Sequence, residues 1–293
     1  MLSRLVDAIV VGVGLGSVYA LVAFGYNLIL GTMGILNLAQ GQILGLGIML
    51  SYTLRVTLGW NPFLTLAVVV LAGALVGVAE ETATIRFLRG RAREDGWLVT
   101  TLGAALVIQG ALLLAWGGAQ RNYPPLIEGT GPHLGDVPVR PQVIVAFAAA
   151  LLLTLALAFV NRFTRAGAAL AAIAEDREVA ALRGIDVRRA AWTTFATGAA
   201  ISAAAGWVIA PITFATTSLG FTLGLQGFVA MIIGGQGRAA AALVGGLLLG
   251  IGESLGTHFG PGGLADLYGF AVLVAVVAVR PAGIFPRPQV RAA

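Results

Sequence analysis

Long apolar runs separated by short polar segments dominate the hydropathy pattern of the chain. A membrane-spanning helix needs about 20 such residues, and runs near that length occupy 5–30, 41–58, 63–85, 98–116, 141–160, 191–211, 240–258 and 264–279. A shorter run, 222–237, is marginal in length and glycine-rich at its end. The pattern therefore predicts an all-α polytopic membrane protein with eight or nine transmembrane helices, forming a single transmembrane domain over residues 1–293.

The first two runs are joined by an interrupted segment near residues 31–42. The surrounding stretch 29–47 carries no charge, but glycines and amides break it at Gly31, Gly34, Asn37, Gln40, Gly41 and Gln42. Backbone that leaves a helix inside hydrocarbon is tolerated only where protein or a watery cavity supplies hydrogen-bond partners. A broken apolar segment is thus a pointer to a transport path. The alternative is a short polar turn between two ordinary spans.

Composition supports a membrane protein and argues against several other classes. The chain is 58% hydrophobic and 11% charged, against roughly 25% charged for soluble domains. Its 41 glycines allow spanning helices to approach closely. The net charge of +5 comes from arginines in short loops, where it sets membrane orientation and does not indicate nucleic-acid binding. The absence of cysteine excludes disulfides and thiolate chemistry.

Arginine placement predicts the orientation. Arginines are frequent in 86–97, in 161–190 and in the C-terminal tail, whereas 117–140 holds few. The positive-inside rule places the first three segments in the cytoplasm and 117–140 outside. Counting back through three spans puts the N-terminus outside as well. The external loop 117–140 is too short for a separate domain, so we expect it to pack as a lid or docking rim.

The cytoplasmic loop 161–190 predicts a short helix, about 175–183, between two membrane helices. Thr164 suits the cap of a first helix. The short helix has Glu175, Asp176 and Glu178 in its first turn, Arg183 in its last turn and Gly184 as its stop. Asp186 then caps the next span, which begins near Arg189. The apolar positions Val179, Ala180 and Leu182 suit docking into a groove on another protein. The alternative is an amphipathic loop lying on lipid headgroups.

Several other polar residues lie within the apolar runs. Glu253, with His258 five residues on, fits either a proton relay or a carboxylate hydrogen-bonded to a neighbouring helix, and the structural role is favoured. Glu80 and Glu81 are interpreted as orienting charges at a span end. Asn27 fits an interhelical hydrogen bond. A second glycine and amide break at 234–237 echoes the first one.

No enzyme site emerges from the sequence. It contains no HExxH motif, no GxSxG with a histidine partner and no nucleotide-binding loop. We therefore expect a protein that is not an enzyme, and any energy for active transport must come from a partner or an ion gradient.

Four segments in chain order resemble the permeases of branched-chain amino acid ABC importers, specifically the LivH-like subunit. They are GLGSVYALVAFGYNLILGTMGILNLAQGQ at 14–42, RAGAALAAIAEDREVAALRGIDVRR at 165–189, VAMIIGGQGRAAAALVGGLLLGIGE at 229–253 and RPAGIF at 280–285. In the first motif the family commonly has Phe and His where this chain has Leu38 and Gln40. Asn37 and Gly41 are kept, so the departures bear on substrate identity, with urea or short amides as alternatives.

The resemblance implies a mechanism and a set of partners. The expected partners are a LivM-like second permease, two ABC ATPase subunits that bind ATP, an extracytoplasmic substrate-binding protein and membrane lipid, with no nucleic acid. No cofactor or metal is expected on this chain. The implied location is the bacterial inner membrane, with a cytoplasmic C-terminus.

The resemblance also implies roles for particular residues. The translocation path would be lined near Asn37, Gln40, Gly41 and Gln42. The ATPase-coupling loop would use Glu175, Asp176, Ala180, Leu182 and Gly184. A self-sufficient channel or an ion-coupled secondary transporter that uses Glu253, and a membrane-embedded scaffold, are the competing hypotheses.

Overall fold

The computed structural model describes residues 1–85, 96–127, 129, 131–134 and 137–285. Within these ranges it contains eleven α-helices: α1 (Leu2–Met33), α2 (Gln40–Tyr52), α3 (Pro62–Glu80), α4 (Gly96–Trp116), α5 (Pro141–Phe163), α6 (Arg165–Glu175), α7 (Arg177–Leu182), α8 (Val187–Ile209), α9 (Leu219–Gly234), α10 (Ala239–Phe259) and α11 (Ala265–Val279). Each of the nine predicted apolar runs forms a helix, and the polytopic all-α fold is confirmed.

Short irregular elements complete the helices. π-helical turns extend α2 through Thr53–Thr57 and α3 through Glu81–Ile85, and a 3₁₀ turn, Gly262–Leu264, precedes α11. A two-residue strand pair, His133–Leu134 with Val137–Pro138, is antiparallel. Among the described residues, five helices (α1, α3, α4, α5 and α10) are long and apolar enough to cross a membrane, while α9 and α11 are shorter apolar helices.

The bundle has two distinct ends. At one end, the side chain of Arg55 donates to Pro125 O at 3.2 Å, and Trp116 Nε1 donates to Thr53 Oγ1 at 2.7 Å, which brings the α2–α3 and α4–α5 connections together. Arg121 also exchanges backbone hydrogen bonds of 2.9 Å with Ala215. The described residues of 117–140 thus pack on neighbouring connections at this end of the bundle.

The opposite end, which we call the arginine-rich end, carries Arg162, Arg165, Arg177, Arg183, Arg188, Arg189, Arg238 and Arg280. A hydrophobic cluster of the end of α1, α6, α7 and the start of α8 lies here, with Trp97 packed against it. The helix order therefore agrees with the predicted parity of the loops. Most of the predicted cytoplasmic segment 86–97, and the tail beyond 285, lie outside the described residues.

Helix α1 occupies the centre of the bundle, and glycines bring α10 against it. Residues 18–24 are all buried. A Cβ added at Gly16 would lie 2.6 Å from Gly246 O, and one added at Gly12 would lie 2.6 Å from Ile251 Cα. The two antiparallel backbones are therefore in direct contact, which is the close packing that small residues allow between spanning helices.

This contact leads to a first prediction. Gly16→Val should destabilise the folded protein by about 1–3 kcal/mol, because the added methyl groups must separate two packed backbones. Reversible unfolding in mixed micelles measures the change. Gly110→Val is the matched control, since nothing lies within 4 Å of a Cβ at Gly110. Equal destabilisation of both variants would show that the α1–α10 contact is less tight than described.

Candidate functional site

The break between α1 and α2 turns the chain back into the bundle. Helix α1 ends at Met33, and Gly34 takes the left-handed conformation with φ of 63° while its N–H donates to Leu30 O. Gln40, the first residue of α2, lies beside Gly25, where its side-chain amide fills the space that a Cβ would occupy. Gly25 is eight residues before the end of α1, or about 12 Å along its axis. Helix α2 therefore begins inside the bundle.

Asn37 holds the returning chain in place. Its Oδ1 accepts a hydrogen bond from the Ala39 backbone N–H at 2.9 Å. Its Nδ2 donates to Glu80 Oε2 of α3 at 2.8 Å and to Gln40 Oε1 at 3.4 Å. Asn37, Gln40 and Glu80 are all buried. A single amide thus closes the turn and ties it to a neighbouring helix.

Gln40 fastens the start of α2 to α8. Its Nε2 donates to Gly198 O at 2.6 Å and to Ser202 Oγ at 2.7 Å. Both amide hydrogens of Gln40 are therefore used within the chain. Because a buried polar group without a partner costs free energy, these bonds make a helix start inside the bundle tolerable.

Gly41 and Gln42 face α9. A Cβ at Gly220 would lie 2.6 Å from Gly41 O, and one at Gly224 would lie 2.7 Å from Gly41 Cα, so the two backbones touch. Gln42 Oε1 is buried and has no hydrogen-bond partner among the described residues. Of the four predicted path residues, Gln42 is the one whose side-chain acceptor is left open here.

The four residues predicted to line a path are thus brought together at the start of α2. The sequence interpretation of Glu80 as an orienting charge at a span end is wrong, because Glu80 is 5% exposed and binds Asn37. Sequence reasoning missed Ser202 and Gly198 as partners of the break. The available signal was a serine within the small-residue run of α8, which does not identify its partner.

The predicted cap at Thr164 and the predicted stop at Gly184 are present in the segment after α5, and Asp176, predicted within the first turn of the short helix, caps it instead. Thr164 Oγ1 accepts from Gly167 N at 3.1 Å and begins α6, and Asp176 Oδ1 accepts from Glu178 N at 2.8 Å and Val179 N at 3.0 Å and begins α7. Gly184 has a φ of 84°, the left-handed conformation expected after a helix end.

Two boundaries differ from the sequence prediction. The short helix α7 begins at Arg177, and Glu175 is the last residue of α6 rather than part of the first turn of α7. Asp186 accepts from Arg188 N and Arg189 N, both at 3.0 Å, so α8 begins at Val187, two residues earlier than predicted. In both cases the aspartate itself takes the capping position, which moves the first helical residue next to it.

The faces of α7 are unequal. Ala180 is buried in the cluster with Ile29, Met33 and Phe195 of its own chain. Val179 is 44% exposed and Leu182 is 88% exposed. Ala180 therefore packs within this chain, and the apolar surface that α7 offers to another protein is carried by Val179 and Leu182.

Helix α7 also contacts the end of α1 directly. The Arg177 guanidinium donates to Met33 O, a carbonyl of the last turn of α1. Carbonyls of a helix's last turn have no partner within the helix, and they attract cations because of the helix dipole. The segment after α5 is thereby joined to the residue after which the break begins.

Further polar contacts link α1 to α10. Tyr19 OH donates to Glu253 Oε2 at 2.9 Å, while His258 contacts Ser254 O and Asp7. Glu253 and His258 thus have different partners, and the structural interpretation of Glu253 agrees with this arrangement. Asn27 Oδ1 accepts from Gly237 N at 3.1 Å, so Asn27 joins α1 to the second glycine break, which lies between α9 and α10, rather than to another helix.

The fold and this site define a polytopic helical membrane protein with a helix that begins inside the bundle. The family model described as "Branched-chain amino acid transport system / permease component" matches residues 8–277. The chain therefore belongs to this family of permeases.

Individual relatives agree with the family. The chain is 31% identical over 292 residues to the high-affinity branched-chain amino acid transport system permease protein LivH of Salmonella typhimurium, covering 95% of this chain and 94% of LivH. It is 29% identical to BraD of Pseudomonas aeruginosa, covering 95% of each chain. Identity to LivM of Escherichia coli is 26%, over 94% of this chain and 69% of LivM. No solved structure matches the chain.

The hydrogen bond between Asn37 and Glu80 gives a second prediction. Asn37→Leu should destabilise the fold by about 1–3 kcal/mol, because it leaves a buried carboxyl group without its partner. Adding Glu80→Leu should recover part of that loss, since removing both polar partners is far less costly. Reversible unfolding of both single variants and the double variant measures the coupling.

The control for this cycle pairs Glu80 with a distant asparagine. Asn61 caps α3 at its far end, where its Oδ1 accepts from Phe63 N at 2.8 Å. Asn61→Ala and Glu80→Leu should therefore be additive. Additive behaviour of Asn37 and Glu80 as well would contradict the described network.

Proposed function

We propose that this chain is one permease half of an ATP-driven ABC importer and forms part of the translocation path for branched-chain or related amino acids. The family match over residues 8–277 carries this proposal. Two features of the fold support it: a helix that starts inside the bundle, and a capped amphipathic segment joined to that helix break at the arginine-rich end.

In this proposal the wall of the path includes the start of α2. Asn37, Gln40 and Gly41 shape the wall, because their polar groups or backbones are engaged with α3, α8 and α9. Gln42, with its open side-chain acceptor, is the member suited to contact a passing ligand. Uncharged amides fit such a path, because a strongly charged site would hold a zwitterion too firmly for release.

The proposed partners occupy the two ends. Two ATPase subunits dock at the arginine-rich end on the coupling segment, about 161–190, where Glu175, Asp176 and Leu182 are exposed and Gly184 follows the end of α7. A substrate-binding protein docks at the opposite end, and a second permease of the LivM type completes the path. ATP binds to the ATPase subunits, and this chain needs no cofactor of its own.

In this proposal, movements of the ATPase subunits reach the translocation path through α7. A displacement of the coupling segment moves Arg177 and the cluster around Ala180, and both contact the end of α1. Met33, the last residue of α1, is followed by Gly34, where the break begins. A movement of the coupling segment is thus transmitted to the point where the backbone leaves α1.

Substrate choice is part of the proposal. Gln40, which departs from the family's usual histidine, hydrogen-bonds to Gly198 and Ser202. The replacement of histidine by Gln40 therefore changes the wall of the path and adds no free group that could bind a ligand. We therefore favour branched-chain amino acids over urea or short amides as substrates. Competition of labelled leucine uptake by excess valine, urea and acetamide tests this: inhibition by urea or acetamide but not by valine would contradict the assignment.

Reconstitution separates the ABC permease from a self-sufficient transporter. We expect no uptake by this chain alone, and ATP-dependent uptake when the second permease and the ATPases are present. Uptake by the single chain that follows a proton gradient, and that is lost in Glu253→Gln, would overturn the proposal. Insertion into the vesicles is checked by protease protection in both preparations.

The proposed orientation is testable by labelling, because the protein has no cysteine. Leu182→Cys at the arginine-rich end should resist a membrane-impermeant maleimide in intact bacterial cells whose outer membrane has been permeabilised. Ile127→Cys, which is 50% exposed at the opposite end, should react. The reverse labelling pattern would show that the N-terminus is cytoplasmic.

Gly184 gives a prediction on coupling. Gly184→Val should strongly reduce ATP-driven uptake while leaving membrane insertion intact, because a β-branched residue is strained at positive φ. Apart from its chain neighbours, no described residue has an atom within 4 Å of a Cβ at Gly184, so the effect comes from the backbone. Gly184→Asn is the matched control, since asparagine tolerates this conformation, and it should retain most uptake. Equal activity of both variants would contradict the assigned helix stop.

A further inference from the structure

An open cleft lies at the arginine-rich end between α1, α5, α6 and the residues that lead into α10. Its cavity volume is about 180 Å³, and it is open to solvent on one side. Its lining comes from one face of α1, from the end of α5, from α6 and from 237–239. Gly31 and Thr32 of the interrupted segment 31–42 line it, whereas residues 34–42 do not.

The lining of the cleft changes from polar to apolar with depth. Phe24 lies eight residues deeper along α1 than Thr32, and Leu157 lies four residues deeper along α5 than Asn161. At the rise of an α-helix these intervals are about 12 Å and about 6 Å. The deep part is therefore walled by large apolar side chains, and the part near the end of the bundle by hydroxyl and amide groups.

The charge of the cleft is positive. Arg238 lies at its polar part, and the side chain of Arg238 is exposed. No aspartate or glutamate lines the cleft among the described residues. Helix α10 begins at the next residue, Ala239, and its N-terminus adds partial positive charge.

We propose that this cleft binds an anionic phospholipid. Its headgroup phosphate contacts Arg238 at the polar part, and one acyl chain extends between Phe24 and Leu157. The order of the lining matches a lipid in the leaflet at the arginine-rich end, since headgroups lie at the membrane surface and acyl chains point inward. Basic clefts between spanning helices on the cytoplasmic side suit anionic headgroups. The proposal requires only that the chain spans a membrane, and not that it transports amino acids.

The bound lipid has a structural consequence. Gly167 and Ala171 of α6, part of the coupling segment, line the cleft opposite α1. Asn27, which binds the second glycine break, lies in its wall as well. A lipid in this place therefore braces α6 against α1, so anionic lipid should raise the unfolding temperature of the protein.

The experiment measures lipid binding to the full-length purified chain in neutral detergent by native mass spectrometry. Dioleoylphosphatidylglycerol is compared with dioleoylphosphatidylcholine at equal concentration. We expect one phosphatidylglycerol per chain to be retained, and Arg238→Gln to weaken its binding roughly five- to tenfold, as loss of one arginine near the headgroups implies. Arg183→Gln, an exposed arginine at the same end outside the cleft, is the matched control and should bind like the unchanged protein.

A steric pair keeps the proposal testable if Arg238→Gln does not fold. Ala171→Trp fills the cleft and should displace the lipid, whereas Ala168→Trp, an exposed position on the same helix outside the lining, should not. Equal phosphatidylglycerol binding by Ala171→Trp and Ala168→Trp would overturn the proposal.

Two further outcomes would also overturn the proposal. Equal retention of phosphatidylcholine would show an apolar groove without headgroup selection. Displacement of phosphatidylglycerol by millimolar inorganic phosphate, with Arg238-dependent phosphate binding, would show a site for free phosphate instead.

Discussion

The structure depends on satisfying a stretch of backbone that leaves its helix inside the bundle. Hydrocarbon offers no hydrogen bonds to such groups, and each unsatisfied one costs several kcal/mol. Asn37 supplies a local partner for this backbone, because its side-chain oxygen accepts a hydrogen bond from Ala39 N. The side-chain amides of Asn37 and Gln40 are themselves satisfied by Glu80 of α3 and Ser202 of α8. These two helices are therefore tied to the start of α2.

Glycine packing makes room for this arrangement. Gly25 leaves space for the Gln40 amide, and the Gly41 backbone meets α9 at Gly220 and Gly224 without intervening side chains. Glycines also allow α10 to pack directly against α1. High glycine content thus serves a specific geometry, in which polar backbone and amide groups lie close enough to bond across helices rather than within them.

Local features of this protein were predictable from the sequence, and its distant contacts were not. The helix runs, the caps at Thr164 and Asp186 and the stop at Gly184 all depend on residues within a few positions of one another. The partner of Asn37 is 43 positions away and that of Gln40 is 162 positions away. From sequence alone, a glutamate at the end of an apolar helix is interpreted as an exposed charge, because the chain that covers it is not known. The buried role of Glu80 therefore required the tertiary structure.

The central claim is that the coupling segment moves the break through Arg177 and the end of α1. The most direct measurement is the number of ATP molecules hydrolysed per amino acid taken up by the reconstituted importer. Arg177→Gln should raise this ratio several-fold, with hydrolysis continuing while uptake falls, and Arg177→Lys should recover part of the coupling because it keeps the charge. An unchanged ratio in Arg177→Gln, with uptake and hydrolysis falling together or not at all, would contradict the account.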